Sequence, residues 1–139
     1  MARSRTRNQW SRERGAAAVE FGLVAILLLT LMIGIIQFSV WFWSFQVAEH
    51  AVLEGARRYA VDPCNEGAND ALIRSRVGSA ASGVIEVQRA FSASTPPDAG
   101  DDVTVTIRFP VHQIGGGLVP TPDFISQSAT SRVEDVEDC

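Results

Sequence analysis

The sequence has no lysine, and its 139 residues include only two cysteines, two histidines and one tyrosine. His50 and His112 have no cysteine or carboxylate partner at metal-ligand spacing, so no metal site is predicted. The three consecutive glycines at 115–117 are not followed by the Lys-Ser/Thr pair of a phosphate-binding loop, which predicts a hinge. No serine has a base at a recognisable spacing. These absences predict a protein that is not an enzyme and that uses no cofactor and no small-molecule substrate.

Positive charge is concentrated at the N-terminus. All twelve basic residues are arginine, and five of them lie in residues 1–15 beside a single acid, Glu13. After Trp43, seven arginines face fourteen acids. The acids end in a C-terminal cluster of Glu134, Asp135, Glu137 and Asp138. Because phosphate binding needs a basic surface, this acidic part of the chain argues against nucleic acid as a partner.

Charge is absent from residues 21–45, which form the longest apolar run in the chain. About 20 helical residues cross the hydrocarbon of a bilayer, so this run predicts a single transmembrane helix. Trp41 and Trp43 stand near its far end, where indole rings favour the membrane interface. Arginines before the run and acids after it predict a cytoplasmic N-terminus and an exported C-terminal domain.

A cleaved secretory signal peptide is the alternative interpretation of the same run. Its apolar core would be about 7–15 residues long and would be followed by small residues. Here the run is longer and ends among Trp and Phe side chains, while Ala48 and Ala51 offer only a weak cleavage pattern. We therefore favour the membrane anchor.

The start of the apolar run carries an unusual carboxylate, Glu20. An ionisable group inside a membrane is costly and usually has a partner. The stretch 12–21 resembles the class III signal of type IV prepilins, in which a basic leader ends in Gly, cleavage follows, and Glu stands fifth in the mature chain. The resemblance implies cleavage between Gly15 and Ala16 by a prepilin peptidase. It also implies that Glu20 pairs with the N-terminal amine of an adjacent subunit during assembly.

Two further features narrow the resemblance to one branch. Glu20 and Phe21 resemble the Glu-aromatic pair of the Tad (Flp-type) pilins, and the segment Glu54, Gly55, Ala56 and Arg57 resembles a stretch of TadE-like proteins. The resemblance covers about residues 12–61. It implies a TadE-like minor pilin or pseudopilin that serves Tad pilus biogenesis, adhesion or secretion. Such a protein lies in the inner membrane or enters the extracellular pilus. The implied partners are other pilin subunits, the inner-membrane assembly platform, prepilin peptidase and lipid.

A second hypothesis comes from another class of protein. The chain would then be an uncleaved, single-pass anchored binding module that holds a soluble partner or the cell wall. It would keep its arginine-rich N-terminus in the mature form.

The predicted fold is α+β and pilin-like, with one long helix, a short second helix and a small antiparallel sheet. The predicted organisation is a cytoplasmic basic leader at 1–15 that is removed by cleavage, a long helix at 16–61 that includes the membrane segment at about 21–45, and a small exported domain at 62–139. On the long helix, an apolar stripe is formed by Ala48, Val52, Gly55 and Tyr59. Gly55 either admits a close neighbour or is merely tolerated.

Patterns in the exported part give the remaining elements. A second helix is expected over 69–81, capped by Asn69 or Asp70. Strands are expected over 84–91, 103–109 and 124–133, and the alternation is strict in the middle one. These strands would form a sheet that packs on the exported half of the long helix.

Two cysteines in an exported domain permit one disulfide, Cys64 to Cys139. It would close a loop of about 75 residues and stabilise the domain by roughly 4 kcal/mol in the chain-entropy model. Two free thiols are the alternative.

Overall fold

A computed structural model describes residues 5–93, 97–114, 116 and 119–134, with side chains from residue 15 onward. The chain forms two helices, α1 (Arg5–Val61) and α2 (Glu66–Val77), followed by three strands. The strands are β1 (Glu86–Phe91), β2 (Asp102–Pro110) and β3 (Phe124–Arg132). They form one antiparallel sheet in the order β1-β2-β3. The predicted α+β architecture is confirmed.

Helix α1 is longer than predicted at its N-terminal end. It begins at Arg5 rather than Ala16 and ends at Val61, as expected from the proline at 63. No proline interrupts residues 5–61, and Gly15 is bordered by two good helix formers, Arg14 and Ala16. The helix therefore continues through Gly15 without a break.

Helix α2 begins earlier than predicted, and the predicted caps are wrong. Asn65 is its N-cap, while Asn69 and Asp70 lie inside the helix. Asn69 is buried, and its Nδ2 donates a hydrogen bond of 2.7 Å to the backbone oxygen of Asp62. This bond ties the start of α2 back to the end of α1. The sequence suggested a cap because Asn is favoured at N-caps and not in helix interiors.

The core lies between the outer half of α1, helix α2 and one face of the sheet. All four residues of the predicted stripe on α1 are buried, which confirms it. The alternation predicted for β2 is also confirmed, because Val103, Val105, Ile107 and Phe109 are all fully buried. Ile73 and Val77 of α2 are buried in the same core. Ala48, Ala51, Ala56 and Ala60 on α1 are small, which lets the sheet and α2 approach the helix backbone closely.

The outer face of the sheet is polar. Its exposed or half-exposed positions on β3 are mostly hydroxyl residues, and Thr130 shares a 2.8 Å hydrogen bond with Thr104 across the β2–β3 pair. Along β2, the burial of side chains alternates strictly between the two faces. One face of the sheet therefore packs on the helices, and the other faces solvent.

Candidate assembly site on the long helix

The N-terminal half of α1 stands clear of the rest of the protein. Between residues 16 and 36, none of the side chains is buried. Over Gly15–Val61 the helix is apolar and long enough to cross a membrane, and none of its most hydrophobic window is buried, with a mean hydropathy of 2.6. Residues 16–36 span about 31 Å at 1.5 Å per residue. That length matches the roughly 30 Å of hydrocarbon in a bilayer.

The α+β domain approaches α1 at Gly34, where an added Cβ would lie 3.8 Å from Val119 Cγ2, and Gln37 is the first buried residue of the helix, inside the predicted membrane segment of 21–45. Gln37 is buried, and its Nε2 donates to the backbone oxygen of His112 at 3.3 Å and to Thr121 Oγ1 at 3.2 Å. Its Oε1 accepts a hydrogen bond from the backbone N–H of Ile114. Ser44 is buried as well. The stretch with no buried side chain therefore ends at residue 36, and we call residues 16–36 the uncovered helix, although Val119 approaches it at Gly34. Hydropathy alone does not reveal which apolar residues are covered by another part of the chain.

Four residues of the predicted processing and assembly motif lie on this uncovered helix. Gly15, Ala16, Glu20 and Phe21 are all exposed, and Phe21 is 75% exposed. Ala16 and Glu20 are one turn apart, so they share a face of the helix. Within the part of the chain that the structure describes, Glu20 forms no ion pair or hydrogen bond. The geometry leaves this carboxylate open to a partner outside the chain.

The second predicted segment, at 54–57, has a different environment. Gly55 faces α2, and a Cβ atom added there would lie 2.6 Å from Ile73 Cδ1 and 2.8 Å from its Cγ1. Ala56 is buried. Glu54 forms an ion pair of 3.0 Å with Arg76 of α2, while Arg57 stays exposed. Of the two alternatives for Gly55, the structure selects close approach, and the neighbour belongs to the same chain.

A polar cluster at the outer end of α1 was not predicted. The hydroxyl of Tyr59, which is fully buried, donates to Asp70 Oδ1 at 2.6 Å. Burial raises the pKa of Tyr59, and the hydrogen bond to Asp70 raises it further. Arg89 of β1 pairs with Glu66 and lies 3.8 Å from Asp70. Its guanidinium carbon is also 6.0 Å from the centre of the Tyr59 ring.

This cluster joins three elements of the fold. Its members come from α1, α2 and β1, so no spacing in the sequence could have revealed them together. The tyrosine hydroxyl bonds to a carboxylate and the arginine lies between two carboxylates, so the cluster links the three elements through hydrogen bonds and ion pairs. The lone tyrosine in an otherwise apolar stripe is the only signal that the sequence offered.

Some of the other predicted residues lie outside the described part of the chain. Cys64 is disulfide-bonded, while Cys139, the other cysteine of the chain, lies outside the described residues. The acidic residues Asp135, Glu137 and Asp138 also lie outside them. His50 is exposed on α1 and His112 is exposed after β2. Of the predicted glycine hinge, only Gly116 is described, with a positive φ of 62°.

The fold and the exposed helix define a class: a small α+β domain carried on one helix that is able to span a membrane. Residues 15–57 match the family model described as TadE-like protein. The match begins at the glycine of the predicted leader and ends with Arg57, so it covers the uncovered helix and the Gly55 contact but not the sheet. No curated protein and no solved structure gives a significant match.

The predicted resemblance is therefore confirmed for the N-terminal segment, which is TadE-like.

Proposed function

We propose that the protein is a minor pilin or pseudopilin of a Tad (Flp-type) pilus, with a structural role in assembly. The observation that carries the proposal is the uncovered helix at 16–36, which begins with an unpaired, exposed Glu20. A helix this apolar needs lipid or other helices around it. The start of the family match at Gly15 supports a leader that ends at this residue.

Processing would change the charge at the start of the helix. Hydrolysis of the peptide bond between Gly15 and Ala16 removes five arginines and leaves a protonated α-amine on Ala16. Glu20 of a neighbouring subunit is then a suitable partner for that amine, and pairing lowers the cost of placing both charges in lipid. In this proposal Glu20 sets the register between subunits, and uncovered apolar faces of neighbouring helices pack together.

The charge distribution supports the proposed location. The arginine-rich end of α1 would lie in the cytoplasm and the α+β domain outside the inner membrane, with the helix crossing once. Prepilin peptidase, the assembly platform and other pilin subunits are the proposed partners. We further propose that the protein catalyses no reaction, because its polar cluster is fully occupied in holding α1, α2 and β1 together.

The first test is the intact mass and N-terminal sequence of the protein isolated from membranes of its native host. We expect a chain that begins at Ala16. A mature chain that begins at Met1 or Ala2 would contradict the proposal and favour the uncleaved anchored module.

The second test addresses Glu20 directly. Glu20→Ala and Glu20→Gln should be cleaved normally but should fail to support pilus assembly, because the α-amine loses its partner. Glu49→Ala is the matched control, since Glu49 is an exposed glutamate on the outer half of the same helix. Normal piliation in both Glu20 variants would refute the role assigned to this residue.

A further inference from the structure

Three exposed apolar side chains lie at one end of the sheet. Val84 precedes β1 and is 80% exposed, Phe124 opens β3 and is 51% exposed, and Ile114 follows β2 and is 39% exposed. The strand register brings them together, because Phe124 is opposite Pro110 and the first residue of β1 is opposite Arg108. We call Val84, Ile114 and Phe124 the rim.

The rim lies at the end of the domain nearest to the uncovered helix. The backbone N–H of Ile114 donates a hydrogen bond to the side chain of Gln37, the first buried residue of α1. Farther along α1, the Ser44 hydroxyl is 3.4 Å from the backbone oxygen of Ala80. Ala81, which follows Ala80, forms a β-bridge with Val111. Val111 in turn donates a backbone hydrogen bond of 3.0 Å to Asp123, next to Phe124.

The opposite end of the sheet is far from this region. There the backbone N–H of Glu134 donates a 3.0 Å hydrogen bond to Ala60, near the end of α1. Gln37 and Ala60 are separated by about 35 Å along the helix axis at 1.5 Å per residue. Only the rim end can therefore approach the level at which the uncovered helix ends.

We infer that the rim rests in the lipid headgroup layer and that the exported domain lies directly on the bilayer surface. This inference rests on the proposed membrane anchoring by α1. When residues 16–36 occupy the hydrocarbon, Gln37 stands at its edge, and Ser44 is about 10 Å beyond. The headgroup layer is about 5–8 Å thick on each side of the hydrocarbon, so the rim overlaps it.

The composition of this surface fits lipid as the occupant. Trp43 and Phe42 are half exposed on α1 at the same level, and aromatic rings favour the headgroup layer. The Arg108 guanidinium carbon lies 4.9 Å from the centre of the Phe124 ring. An apolar ring therefore stands beside a side chain that can donate hydrogen bonds to lipid phosphate oxygens. Glu86 and Asp123 are nearby, so apolar insertion rather than net charge drives the contact.

Photocrosslinking of the full-length chain tests this contact. In separate variants, p-benzoylphenylalanine replaces Phe124, Val84 or Thr130, and each protein is reconstituted in vesicles of phosphatidylethanolamine and phosphatidylglycerol. Thr130 is the matched control, because it lies on the same face of β3 as Phe124, about 20 Å away. A fourth variant carries the probe at Leu28 on the uncovered helix and reports insertion into the membrane.

We expect lipid adducts by mass spectrometry at positions 28, 124 and 84, with several-fold lower yield at 130. Adducts at 28 without adducts at 124 and 84 would overturn the rim contact and leave membrane anchoring intact. Crosslinked dimers at 124 in place of lipid adducts would overturn it in favour of a second copy. Absence of lipid adducts at 28 would overturn the anchoring itself, and the rim contact with it.

Discussion

Replacing Gly55 with alanine tests whether the contact between α1 and α2 depends on the missing side chain. An added Cβ would lie 2.6 Å from Ile73 Cδ1 and 2.8 Å from Ile73 Cγ1, and Ile73 is completely buried. Ordinary carbon contacts are about 3.5–4.0 Å, so Ile73 or α2 would have to move by about 1 Å. Overpacking of this kind costs about 1–3 kcal/mol, while the gain in helix propensity returns about 1 kcal/mol. We expect Gly55→Ala to lower the free energy of unfolding by up to about 2 kcal/mol.

The matched control is the same substitution at Gly67 of α2, where an added Cβ would have no neighbour within 4 Å. Gly67→Ala should therefore stabilise the protein by about 0.4–1 kcal/mol. The assay is thermal unfolding of the full chain in detergent micelles, followed by near-ultraviolet circular dichroism. For a domain of this size, 1 kcal/mol shifts the midpoint by about 4–8 °C. The two substitutions should shift it in opposite directions.

A double-mutant cycle with Ile73→Val identifies the atom responsible. Ile73→Val alone should cost about 0.5–1.5 kcal/mol, because it deletes a buried methyl group. In the Gly55→Ala background it should cost less or should stabilise, because the clashing Cδ1 is removed, and we expect a coupling of at least about 0.5 kcal/mol. Additive effects, or stabilisation by Gly55→Ala equal to that by Gly67→Ala, would refute the close-approach account.

Three other predictions follow from the described contacts. The pKa of Tyr59 is raised in the folded protein, so its contribution to the free energy of unfolding should be complete below the unfolded-state pKa of about 10 and should fall as pH rises above it. Tyr59→Phe should remove this alkaline loss of stability, measured by thermal unfolding from pH 8 to 11. Gln37→Leu should cost about 1 kcal/mol by leaving part-buried backbone partners without their hydrogen bonds, and it should speed hydrogen exchange in residues 112–114. Ser39→Ala, which loses only an exposed bond within α1, should do neither. Non-reducing peptide mapping should recover Cys64 linked to Cys139, and Cys64→Ser should lower stability by about 4 kcal/mol; two free thiols in protein from the native host would contradict the predicted pairing.

Much of the fold could be predicted from local patterns. The strict alternation in β2 predicted its buried face, because the period of a strand is two and one face of the sheet is covered. The proline at 63 predicted the end of α1, and helical spacing predicted the buried stripe that contains Tyr59. The start of α2 could not be predicted in the same way, because Asn69 makes its hydrogen bond to Asp62 in another element, and helix propensity does not reveal such a bond.

The predicted processing motif could be proposed from sequence because its members lie within a few residues of one another. In the proposed function, a peptidase or a neighbouring helix would recognise a glycine, a small residue and a glutamate at fixed spacing without any tertiary contact. The structure adds that Glu20 is open to such a neighbour. Its assembly role stays a prediction for the Glu20 variants to test.

The sequence by itself determined that one apolar helix of membrane-spanning length precedes an acidic α+β domain, because hydropathy, charge and period are local properties of the chain. The tertiary structure decided what each part of that helix contacts. No side chain of residues 16–36 is buried, whereas Gln37 forms hydrogen bonds with the β2–β3 connection. The missing side chain of Gly55 leaves room for Ile73 of α2. Only the folded chain brings these partners together, because they are separated by 18 residues or more along the sequence and their contacts depend on the packing of α2 and the sheet against α1.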